Sequence, residues 1–176
     1  MIKIGFDDAM LNELSGIKGK TLKSIEYEAM DKFGTPYGAV RLNLGRFSID
    51  FTCLNRDVGS NYYDEIPVLE CEKKELNSEF FYGTETFSYM INEKIKSVSI
   101  ITDEIAIDEI GEFSVDDAIL IETSYGEYSL SKNWYLSECV VVKYDSDCYS
   151  SEKALSDWKS GIENKGIKCK RVIKNL

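Results

Sequence analysis

Apolar and polar residues alternate with a period of two along most of this chain. Val40, Leu42 and Leu44 alternate with Arg41 and Asn43, and Phe47, Ile49 and Phe51 alternate with Ser48 and Asp50. Gly45 stands between the two runs, where a tight hairpin needs a residue that tolerates positive φ. Further on, Ile119 and Ile121 lead to Gly126, and Tyr128 and Leu130 return. The run "DAILIET" at 117–123 and the run "CVVVKY" at 139–144 are apolar on both sides, as central strands are.

Helical spacing is rarer. "FDDAMLNEL" predicts a short N-terminal helix capped by Asp7 or Asp8. In "SSEKALSDWKSGIENKG", Leu155, Trp158 and Ile162 fall on one helical face, with Ser150 or Ser151 as cap and Gly166 at the end. "GIKCKRVIKNL" follows as a strand whose lysines suit an exposed edge, so 151–174 reads as helix plus strand. The stretch 74–91 fits either a helix–turn or a hairpin.

The pattern repeats. "LKSIEY" at 22–27 matches "IKSVSI" at 95–100, and "AVRLNLGRFSI" at 39–49 matches "AILIETSYGEYSL" at 118–130, with two residues inserted before the glycine. Each copy runs on into a further apolar strand, 66–72 or 139–144. The reading is a duplicated module, about 17–73 and 92–145. Two copies are too few for an open solenoid, so the expected fold is one domain over 1–176. Its class is mainly β (α+β): two related antiparallel β-modules form one sheet or barrel-like sandwich, with a short N-terminal helix and a C-terminal helix.

One stretch raises nucleotide chemistry. Gly19-Lys20-Thr21 ends the pattern of a phosphate-binding loop, but the first glycine of that pattern falls at Leu14. "LKSIEYE" then alternates as a strand, so no helix N-terminus faces a phosphate. The second copy has "INEKIKSV" here, without glycines. Gly16 and Gly19 are therefore read as turn residues, and no cofactor is expected.

Composition narrows the chemistry further. The 176 residues contain no histidine, which removes Ser-His and Cys-His nucleophile pairs and histidine zinc sites. The five cysteines have no CxxC spacing and read as free thiols in a reducing cytosol. The N-terminus lacks the pattern of a signal peptide, and no apolar run is long enough to span a membrane. The expected location is cytoplasmic.

Net charge is −10, which disfavours nucleic acid and anionic membranes as partners. Residues 57–127 hold 18 acids and 4 bases, so this stretch alone carries −14. Asp103, Glu104, Asp108, Glu109, Glu112, Asp116 and Asp117 cluster within it. Tyr62-Tyr63 and Trp134-Tyr135 lie in loop-like stretches at loosely corresponding places of the two copies, and such aromatics are common binding anchors. They are also ordinary caps over a β-core, and charge runs are ordinary solvated faces.

These features point first to a non-enzymatic acidic protein that occludes a basic partner, one handling nucleic acid or acting as a toxin, as immunity and anti-defence proteins do. The acids above and the four aromatics are its candidate contacts. The alternative is a carboxylate-based hydrolase, working either through a pair of acids alone or with a divalent metal such as Ca²⁺ or Mg²⁺. A third reading is an oligomer-forming module, which a symmetric apolar patch would favour.

Overall fold

The computed structural model describes residues 1–29, 36–57, 65–76, 86–108, 111–132, 140–144 and 166–176. Among them are eleven strands and one helix. They run β1 (Ile2–Ile4), α1 (Asp8–Ser15), β2 (Thr21–Ala29), β3 (Pro36–Asn43), β4 (Phe47–Asp57), β5 (Glu65–Glu75) and β6 (Thr86–Lys94). They continue with β7 (Ser97–Ile107), β8 (Gly111–Glu122), β9 (Glu127–Lys132), β10 (Val140–Tyr144) and β11 (Ile167–Asn175). The expected C-terminal helix, 150–166, lies outside the described residues except for Gly166; the expected terminal strand is β11.

Helix α1 starts where its cap places it. The Asp7 carboxylate accepts a hydrogen bond from the Met10 backbone N–H at 2.8 Å, satisfying one of the free donors of the first turn. The helix precedes the Gly16–Gly19 turn instead of following it, which removes the last structural requirement for a phosphate loop.

Two open sheets form. The first has the order β5-β4-β3-β2-β6 and the second β10-β9-β8-β7-β11, with β1 added in parallel to β8 beyond the end of β9. The expected barrel alternative is corrected by this order: the fifth strand of each sheet pairs back on the first strand of its own meander, not across to the other sheet. The sheets therefore face each other as a sandwich. β5 packs on β8 and β10 packs on β3. One apolar core joins them, with Ile25, Val40, Leu42, Ile49, Phe51 and Leu69 from the first sheet meeting Val98, Ile119, Ile121, Leu130 and Val140 from the second.

Strand order and register agree between the sheets. Ile25 faces Leu42 and Tyr27 faces Val40 in the first; Val98 faces Ile121 and Ile100 faces Ile119 in the second. The central hairpins also agree, closing at Asn43–Ser48 and at Glu122–Glu127 with connections of equal length. The two-residue insertion inferred from the glycines is thus corrected. The glycines differ because they serve different needs. Gly45 supplies a φ of +84° early in its turn. Gly126 ends its turn beneath Tyr144, whose ring would lie 2.5 Å from any Cβ there.

Candidate functional site

Side chains alternate along a strand, so neighbouring acids in sequence go to opposite faces. Asp103 and Glu104 on β7 show this. Asp103 is fully buried and meets Arg171, its direct register partner on β11, through two hydrogen bonds of 2.6 Å. Such a two-point fork is the strongest geometry available to a guanidinium–carboxylate pair. Glu104 lies on the other face, part-exposed, 3.6 Å from Lys170.

A β-bulge separates the next pair. Ile101 faces Ala118 but Thr102 faces Asp116, which leaves Asp117 as the extra residue on β8. Asp116 turns to accept hydrogen bonds from the Thr102 hydroxyl at 2.7 Å and the Phe6 N–H at 3.1 Å, and so holds the chain between β1 and α1. Gly5 sits so close that a Cβ would lie 2.4 Å from the Asp116 carboxylate. Asp117 instead approaches Arg171 at 3.3 Å and Lys132 at 3.6 Å. The Lys132 side chain is fully buried and donates to the Pro67 carbonyl on β5, so the network bridges the two sheets.

The result is an internal row of two acids and two bases: Asp103, Asp117, Arg171 and Lys132. Burial opposes the charge of Arg171, while the Asp103 hydrogen bonds and the nearby carboxylates raise its pKa. A second buried pair, Arg41–Asp50, lies on the first sheet with hydrogen bonds of 2.8 and 2.7 Å. Sequence reading missed Lys132, Arg171, Arg41 and Asp50. The available signal is a lone charge at an alternating strand position, which sequence alone does not distinguish from a solvent-facing one.

The structure therefore distributes the candidate acids among distinct roles. Asp103, Asp116 and Asp117 are engaged internally. Glu104, Asp108 and Glu112 stand toward the turn end of the β7–β8 hairpin, with Asp108 and Glu112 exposed. Glu104 and Glu112 line a cleft of about 300 Å³ together with Cys169, Lys168 and Lys170. Glu109, Tyr62, Tyr63, Trp134 and Tyr135 lie outside the described residues. Those described residues hold 20 acids against 17 bases, a net −3 of the chain's −10. Among them no three Asp, Glu or Cys side chains converge into a set able to hold a metal ion, and no helix is long and apolar enough to cross a membrane.

Cys71 and Cys169 are poor nucleophiles. Burial pushes Cys71 up to about 12, with Glu13 adding to the effect, and burial with Asp103 nearby does the same for Cys169. Burial and Tyr89 likewise raise Tyr27 to about 12. All three groups keep their protons in the folded state above the pH where they lose them in the unfolded chain. Stability is then fully present below about pH 9 and falls as pH rises from there toward 12. The melting temperature measured from pH 8 to 11 is expected to drop less steeply in a Cys71→Ala/Cys169→Ala variant than in the parent chain. Equal slopes would remove the thiols from this account.

Comparison with known proteins finds no matching family model, no matching curated protein and no matching solved structure.

Proposed function

We propose that this chain is a non-enzymatic binding protein that occludes a basic surface on another protein, in the manner of an immunity or anti-defence protein acting in the cytoplasm. The observation that carries the reading is the fate of the clustered acids. A carboxylate hydrolase needs two acids converging on one open cleft. Here Asp103 is buried against Arg171, and the part-buried Asp117 lies between Arg171 and Lys132, so both acids are engaged with bases instead of converging on an open cleft. Of the clustered acids among the described residues, Glu104, Asp108 and Glu112 are left to meet a partner, all toward the turn end of the β7–β8 hairpin. Such exposed charges steer association and contribute less to final affinity. Tyr62, Tyr63, Trp134 and Tyr135 remain the proposed aromatic anchors. The agreement of strand order and register supports reading the two sheets as a duplicated module, extended by a fifth strand in each copy.

One observation favours the alternative. Glu104 and Glu112 share a cleft with two lysines, a combination suited to a polar substrate. The two readings separate on one set of variants. For a partner captured from the host and then purified, the Glu104→Lys/Asp108→Lys/Glu112→Lys variant is expected to associate at least tenfold more slowly at low salt, the difference shrinking at high salt. An unchanged on-rate removes the acidic end from the interface. A hydrolytic activity lost in Glu104→Gln or Glu112→Gln would transfer the site to the enzymatic reading.

A further inference from the structure

Among the described strands, the four at the ends of the two sheet orders are not equally guarded. An exposed edge strand offers a row of unpaired backbone N–H and C=O groups, and proteins blunt it with lysine, proline or short length. β11 carries Lys168, Lys170, Arg171 and Lys174. β5 carries Pro67, Lys73 and Lys74, and β10 has five residues including Lys143. β6 occupies the place in its sheet that β11 occupies in the other, yet Thr86-Phe87-Ser88-Tyr89-Met90 contains neither charge nor proline. Among the described strands β6 pairs only with β2.

Its side chains also face water on both sides. Tyr89 is 61% exposed and Met90, on the opposite face, 72%. Tyr27 on β2 stacks on Phe87 at 5.8 Å and on Tyr89 at 5.9 Å, so the aromatic row is already ordered at the edge. The flat part of the strand has a defined end. Ile91 and Asn92 stand together opposite Lys23 as a bulge, with Asn92 at a φ of +58°.

From this we infer that β6 is a dimerisation edge, at which a second copy of the chain adds antiparallel through residues 86–90 to make a continuous ten-stranded sheet. The segment is self-complementary about Ser88. That register sets Phe87 opposite Tyr89 of the partner subunit, Thr86 opposite Met90 of the partner subunit, and Ser88 opposite Ser88 of the partner subunit. It joins aromatic to aromatic and brings no like charges together. A basic foreign strand finds no acid on residues 86–92 to recognise, which favours the chain's own copy as the occupant. The bulge at Ile91–Asn92 limits the pairing to this short stretch, so the interface belongs to the small, reversible class. The inference does not depend on the acidic-end reading.

Sedimentation velocity over a concentration series tests it directly. The expected result is a monomer–dimer equilibrium with a dissociation constant on the order of 1–100 μM, abolished in Tyr89→Lys/Met90→Lys. Both replaced side chains are exposed, so the variant is expected to fold, and circular dichroism checks that it does. A second readout fixes the register. Oxidised Ser88→Cys is expected to form at least tenfold more cross-linked dimer than Thr86→Cys, because only position 88 meets itself. A chain monomeric at every concentration where it stays soluble overturns the inference. Equal cross-linking at 86 and 88 overturns the register. Protection of the β6 amides only after a foreign protein is added gives the edge to that protein instead.

Discussion

Arg171→Ala is expected to cost about 3–5 kcal/mol, the usual penalty for removing one partner of a buried ion pair. The loss arises less from the missing attraction than from what stays behind. Asp103 is fully buried, and the substitution removes both of its 2.6 Å hydrogen bonds to the guanidinium. Asp117 keeps Lys132 as a charged neighbour but loses its approach to Arg171. The control is the double variant Asp103→Leu/Arg171→Met. It removes both charges while filling similar space, and such replacements of buried pairs are commonly neutral or better. Urea unfolding of the three chains decides the matter. Near-parental stability in Arg171→Ala would show that the pair is replaceable. A double variant as unstable as the single would show that the loss was one of packing and not of stranded charge.

Phe51→Ala and Leu130→Ala are expected to cost about 3–5 and 2–5 kcal/mol respectively, through lost transfer energy and the cavity left behind. The two residues hold equivalent places, since Phe51 faces Val40 and Leu130 faces Ile119 in the matching ladders. Both are fully buried in the one core that joins the sheets. Each variant is therefore expected to unfold in a single transition in which both sheets are lost together. Calorimetry that resolves two transitions, with only the mutated sheet shifted, would show instead two modules of separate stability.

Much of the fold was legible because its signals are local. Asp7 at the helix start, Gly45 between two alternating runs, and the lysines of β11 each act within a few residues. The matching of 22–27 with 95–100 corresponds to β2 and β7, the first strand of each meander. The site was less legible because its contacts are distant. Asp103 and Arg171 are 68 residues apart, and nothing near either one announces the other. The acidic run looked like one surface because the sequence shows linear proximity only. The strand pleat separates Asp103 from Glu104, and the bulge on β8 sends Asp116 and Asp117 to different partners. Alternation correctly set Arg41 and Asp50 apart from the core face, but it carries no information on whether that face is covered; both are buried.

The return of each fifth strand to the first strand of its sheet has a further consequence, for the rates at which the molecule forms and comes apart. Each meander grows by joining neighbours in sequence, with short loops to close. β6 closes the longest loop in its sheet and β11 the longest among the antiparallel strands of the other, and contacts across such separations form slowly. A contact made after the folding barrier leaves the folding rate unchanged and slows unfolding. The Asp103–Arg171 fork sits at such a closure. It is therefore expected to act as a latch, with Arg171→Ala speeding unfolding and leaving the folding rate near that of the parent chain.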